Sequence, residues 1–80
     1  MNTETDFIVL IQNQFPEETR SGILPESKIR ELKGWSSLQA LIITVAIDEK
    51  FGVTLTDEDF RKALTLHDLY TIILKKSAGN

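Results

Sequence analysis

Apolar side chains recur at helical spacing early in the chain, where Phe7, Leu10 and Ile11 line one stripe of residues 3–14 and Phe15 follows in the same spacing. Thr3, with Asp6 three positions on, has the form of a capping box that starts a helix. Phe15-Pro16 ends it, because a residue before proline is pushed out of the helical region. Over residues 16–35 the periodicity is lost, and Pro16, Gly22, Pro25 and Gly34 punctuate a long connection. Ile23, Leu24, Ile29 and Leu32 are spaced to pin this connection to a core, with a short turn near residues 28–32. It reads as an ordered loop, and loops of this length in compact domains are often functional.

Residues 38–47, LQALIITVAI, contain only Gln39 and Thr44 as polar members. The β-branched run Ile42-Ile43-Thr44-Val45 would suit a strand. Three features favour a helix instead: Ser36 followed by Gln39 as a capping box, Gly52 where a C-terminal cap belongs, and a span of about fifteen residues, longer than a typical strand. On a helical wheel Ala40, Ile43, Ile47 and Phe51 share one face, while Leu38, Leu41, Ile42 and Val45 share another, roughly opposite. So short a chain can hardly surround one of its helices. Either the second stripe stays partly open as a partner or ligand surface, or the long loop and a short helix cover it as ordinary core. Periodicity is compatible with both.

Beyond Gly52, Val53-Thr54-Leu55 reads as a short extended piece. Thr56 with Asp59 opens a brief helix, DEDFRK, and Thr65 with Asp68 opens a last one carrying Leu66, Leu69, Tyr70 and Ile73. Lys75 and Lys76 suit the negative pole of that helix, and residues 77–80 read as a frayed tail. The expected fold is all-α, three main helices and one short one, in a single domain over residues 1–80.

Composition narrows the function. Twelve acidic residues against nine basic ones give a net charge of −3, which disfavours nucleic acid as a partner. The absence of cysteine excludes disulfides, thiolate metal sites and a cysteine nucleophile, and it fits a reducing compartment. An 80-residue domain buries only roughly 60–65% of its unfolded surface, so a deep catalytic cleft is hard to build and binding or carrying is favoured. The first fifteen residues carry no basic side chain, unlike a signal peptide, and no apolar run approaches the ~18–20 residues of a membrane span. The expectation is a cytoplasmic monomer with no membrane span. His67 reads as a solvent-facing residue, and Asp57-Glu58-Asp59 as a complement to a helix dipole in preference to a cation site. Trp35 fits either a partner contact or a hydrophobic staple.

Gly34-Trp35-Ser36-Ser37-Leu38 lies where the long loop meets the central helix. A hydroxyl there adjoins free backbone N–H groups and the positive end of the dipole, which favour an attached phosphate, although on spacing alone both serines read as N-cap residues. The wider pattern, ELKGWSSLQALIITVAIDEKFGVTLTDEDF followed by TLHDLYTIILKK, resembles the acyl carrier proteins over almost the entire chain. Ser37-Leu38 match the Ser-Leu of that family's motif, Asp48-Glu49 its acidic pair and Phe51-Gly52-Val53 the end of its second helix. The Gly-Trp before the motif is similar to a subgroup of stand-alone bacterial carriers.

The resemblance implies a four-helix bundle with a long loop between helices one and two. It also implies a 4′-phosphopantetheine arm, donated by coenzyme A, on Ser37, whose thiol holds acyl groups as thioesters for fatty acid, polyketide or related biosynthesis. The chain would then be a carrier and not an enzyme. Its expected partners are a phosphopantetheinyl transferase, acyl-activating and acyl-transferring enzymes, and ketosynthase-type enzymes. Leu38, Leu41, Ile42 and Val45 would form the docking surface with Asp48 and Glu49 as a charged rim, and Ile43, Ile47 and Phe51 would shelter a short acyl chain. Two departures stand out: Ser36 replaces the usual aspartate, and Ile42 replaces a glutamate common in the family. Charge steering is thereby reduced and apolar contact gains weight, as in a carrier dedicated to one pathway. An aminoacyl or peptidyl carrier and an unmodified interaction module of the same fold are the alternatives.

Overall fold

Capping chemistry sets most of the helix starts. The structure, a computed structural model, describes residues 3–78. It is all-α, with five α-helices, one 3-10 turn and no strand among the described residues: α1 (Glu4–Gln12), α2 (Glu17–Arg20), the 3-10 turn Ile29–Glu31, α3 (Ser37–Phe51), α4 (Asp57–Lys62) and α5 (Leu66–Ala78). Thr3 and Asp6 form the expected reciprocal capping box, and Thr56 and Asp59 form another. Thr65 Oγ1 accepts from Asp68 N at 3.1 Å, while Asp68 Oδ2 accepts from Thr65 N at 3.0 Å. At α3 only half of the expected box exists. Ser36 Oγ accepts from Gln39 N at 3.2 Å, but the Gln39 amide turns away and donates to the Gln14 carbonyl just beyond α1. Gly52 ends α3 in the left-handed conformation (φ 68°), with its N–H on the Asp48 carbonyl.

Other differences from the sequence expectation have local causes. α1 stops at Gln12, two residues early, because Arg20 folds back and its Nε donates to the Gln12 and Phe15 carbonyls at 3.0 and 3.1 Å. Arg20 is held there by α2, which the apolar pattern does not reveal because none of its residues is buried. Leu24, expected in the core, is exposed, its N–H donating to Ser27 Oγ in a tight turn, while its neighbour Ile23 is buried as expected. At the other end α5 runs on through Ser77 and Ala78 instead of fraying, while the rest of the expected tail, residues 79–80, lies outside the described residues.

Phe7 of α1 sits at the centre of the core, 5.5 Å from Tyr70 of α5 and 6.3 Å edge-on from Phe51 of α3, between ring centroids. Ile11, Ile43, Ile47, Leu66, Leu69 and Ile73 are fully buried around it, each contributing about 1.5–3 kcal/mol by leaving water. The loop between α2 and α3 is ordered, as expected. Ile29 N donates to the Leu64 carbonyl, Leu66 N to Ser27 and His67 N to Pro25, at 2.8–3.0 Å. The loop is thereby zipped to the turn between α4 and α5, with Ile23, Ile29 and Leu32 buried beneath it.

Candidate functional site

The inward face of α3 is settled core, since Ile43 and Ile47 have no exposure and Ala40 and Phe51 pack against the same cluster. Its outward face is open. Leu38 is 66%, Leu41 60%, Ile42 40% and Val45 51% exposed, so neither the loop nor α4 covers this stripe. Four half-exposed side chains leave on the order of 1 kcal/mol each to be gained by whatever covers them. Within the β-branched run Thr44 satisfies its hydroxyl by donating Oγ1–H to the Ala40 carbonyl at 2.8 Å.

Ser37 is the first residue of α3 and is exposed, one position inside the Ser36 cap. The amides of Ser37 and Leu38 have no carbonyl four residues back within the helix, so they face outward beside the Ser37 hydroxyl. No acid lies in the first turn of α3, whereas α1, α4 and α5 each place at least one carboxylate there. The positive pole of the fifteen-residue α3 is therefore uncompensated by any side chain of its own first turn.

Two grooves flank the open face. The first, about 390 Å³, has Ser37, Ala40, Leu41 and Thr44 on one wall and Leu55, Thr56, Asp57 and Phe60 on the other. The second, about 450 Å³ and largely apolar, lies between Gln14 and the α3 residues Leu41, Ile42, Val45, Ala46 and Glu49. The structure thus brings Leu41, Ile42, Val45 and Glu49 together around one groove and Ser37 with Leu41 around the other. Leu38 and Asp48 are exposed on α3 but border neither. Ile43 and Ile47, expected to shelter cargo, lie beneath the helix away from both grooves. Sequence reasoning missed the α4 wall. The alternation of buried Val53, exposed Thr54 and buried Leu55 was the available signal, because it turns Thr56 and Asp57 toward α3.

The remaining singled-out residues serve the fold. Trp35 packs against Phe60 with ring centroids 5.8 Å apart and planes tilted by 44°, joining the loop to α4. Arg30 adds a hydrogen bond to the Phe60 carbonyl at 3.3 Å. Asp59 caps Thr56 N and pairs with Lys76 Nζ at 2.8 Å; burial opposes its charge, but the ammonium and the Thr56 N–H outweigh it and hold the carboxyl below its usual value. Glu58 pairs with Lys62 at 3.3 Å, and among the described residues no group of His, Asp and Glu is arranged to hold a metal ion. His67 is exposed and its Nδ1 donates to Glu4 Oε2 at 2.7 Å, which raises its pKa above the usual imidazole value. Among the described residues no helix is long and apolar enough to cross a membrane. Compared with known protein families, the sequence matches no family model.

Proposed function

We propose that this chain is a carrier protein that bears a 4′-phosphopantetheine arm on Ser37 and presents acyl groups to partner enzymes. The observation that carries the reading is the exposed Ser37 hydroxyl at the head of a helix whose outward face is apolar and open. The residues present fit the group. The free amides of Ser37 and Leu38 and an acid-free first turn favour a phosphodiester at that hydroxyl. When bound, the arm supplies the thiol that the chain itself lacks, and with it thioester chemistry. The chain's own residues hold the attachment point and offer a surface. Leu38, Leu41, Ile42 and Val45 give a partner an apolar contact, with Asp48 and Glu49 at its far end. A transferase and acyl-loading or ketosynthase-type enzymes are the partners this reading requires, with the chemistry residing in them and in the arm.

Intact-mass measurement after incubation with coenzyme A and a broad-specificity phosphopantetheinyl transferase tests the reading. The expected result is a gain of one phosphopantetheine, lost in Ser37→Ala and kept in Ser36→Ala. Absence of any gain, here and in protein purified from its host, would refute it and leave an unmodified interaction module. An aminoacyl cargo is separated from a fatty acyl cargo by which activating enzyme loads the thiol.

A further inference from the structure

We infer that the junction of the long loop with the C-terminal end of α4 is a second interaction surface, one that fits an acidic, partly apolar segment of a partner protein. It does not depend on an arm at Ser37. Lys28, Arg30, Arg61 and Lys62 are all exposed there, on a chain whose net charge is −3. Main-chain pairing brings them together. Ile29 N donates to the Leu64 carbonyl at 3.0 Å and its side chain is buried, so Lys28 and Arg30 on either side of it project to solvent beside the α4–α5 turn. Arg30 Nη2 donates to the Phe60 carbonyl at 3.3 Å, which holds the guanidinium against the residue before Arg61. Leu64 stands among these cations with its side chain 58% exposed.

The neighbouring acids leave this cluster in positive excess. Asp59 is engaged by Thr56 N and Lys76, and Asp68 accepts from the N–H groups of Leu64 and Thr65. Glu31 borders a groove toward α2 together with Glu18 and Lys33. Glu58 pairs with Lys62 and offsets one cation, and Glu26 lies in the turn two residues before Lys28. Lys28, Arg30 and Arg61 have no carboxylate partner among the described residues. The occupant follows from charge and size. Unpaired cations around an apolar side chain suit carboxylates that flank an apolar residue, whereas a free polyphosphate would use the cations and leave Leu64 in water. An anionic membrane or a nucleic acid would also set its charge against the acidic remainder of the chain. A short segment, confined within the screening length of about 8–10 Å, meets the cations alone. Exposed ion pairs contribute little individually, so this surface selects and orients a partner more than it tightens the complex.

The test titrates the isotopically labelled, unmodified full chain with a short synthetic peptide of glutamates interrupted by leucines. A peptide with lysine in place of glutamate, tripolyphosphate and phosphatidylglycerol vesicles serve as the comparison probes. The expected result is saturable shifts of the amides of residues 28–30 and 61–64 with the acidic peptide at low salt, lost at high salt. Arg61→Glu, at an exposed position, should weaken that binding roughly five- to tenfold, because it removes one ion pair and adds one repulsion. Lys33→Glu makes the same change in net charge outside the cluster and should alter the affinity less than about twofold. Both variants should keep the wild-type amide spectrum elsewhere, which separates lost binding from lost fold. Absence of saturable shifts at these residues, or equal losses in Arg61→Glu and Lys33→Glu, would overturn the proposal. Tighter binding of tripolyphosphate or of the vesicles than of the acidic peptide would overturn the protein partner as well. None of these outcomes bears on whether Ser37 gains a phosphopantetheine.

Discussion

Replacing Ser36 with aspartate separates the two roles that this position combines. Ser36 is extended (φ −160°, ψ 171°), is exposed and caps α3 through one bond from Gln39 N. An aspartate carboxylate can accept that same N–H, so the cap survives. It also sets a full negative charge against a helix end whose first turn holds none. An exposed charge in this location is worth about 0.3–1 kcal/mol at low ionic strength. Ser36→Ala removes the cap without adding charge and costs about 1 kcal/mol. For a domain of this size 1 kcal/mol moves the melting temperature by about 4–8 °C. Ser36→Asp should therefore raise the midpoint of the unmodified protein by about 1–8 °C, and Ser36→Ala should lower it by about 4–8 °C. Circular dichroism melts at about 20 mM and about 0.5 M salt check both values, because the aspartate gain should shrink with salt while the alanine loss should not. On the proposed attachment at Ser37, the new carboxylate would lie beside a phosphodiester at the same helix end, and its gain should diminish in the arm-bearing protein. An aspartate variant no more stable than wild type at low salt, or a gain untouched by salt, would refute the uncompensated-dipole argument.

Gly52→Ala should cost about 1–2 kcal/mol in urea unfolding, all of it from the left-handed backbone, since an added Cβ meets no atom within 4 Å. Gly22→Ala, with Thr19 O at an ordinary 3.7 Å and no positive φ, should be neutral or stabilising by about 0.4–1 kcal/mol; equal losses at both sites would discredit the distinction. The His67–Glu4 pair raises the imidazole pKa above 6.5, so its stabilisation is complete below that value and disappears as pH rises through the folded-state pKa. The lowered carboxyls of Asp6, Asp59 and Asp68 act oppositely, stabilising above 3.8 and failing as pH falls through their folded-state values. All these contributions are full between pH 3.8 and 6.5, and the urea-midpoint difference between wild type and His67→Gln should narrow between pH 6 and 9; a constant difference would dismiss the pair. Ile42→Glu, at a position already 40% exposed, should speed loading by a basic transferase in a salt-sensitive way, and unchanged kinetics would defeat the steering argument.

Helix starts were legible in the sequence where their hydrogen bonds close within three residues, as at Thr3/Asp6, Thr56/Asp59 and Thr65/Asp68. The same reading half-failed at Ser36/Gln39, because the longer Gln39 side chain carries amide donors that reach a tertiary partner, the Gln14 carbonyl. α2 was illegible because a four-residue helix that buries no side chain leaves no apolar period. On the site, the sequence marked one wall of the Ser37 groove and not the other, since the α4 wall depends on how residues 53–56 turn after Gly52.

The open stripe is a different kind of omission. A covered α3 and an uncovered one have the same sequence pattern, so the answer lies in where the long loop satisfies its own groups. Three main-chain bonds tie residues 25–29 to residues 64–67, and Arg30 adds a fourth bond to Phe60. Each is worth about 0.5–1.5 kcal/mol net. Burial of Ile23 and Ile29 adds about 1.5–3 kcal/mol apiece. Moving the loop across Leu38, Leu41, Ile42 and Val45 would recover on the order of 1 kcal/mol per side chain and surrender more than that sum. The loop therefore stays on the α4–α5 side, and the apolar face beside Ser37 remains open because the most favourable use of the long loop lies elsewhere.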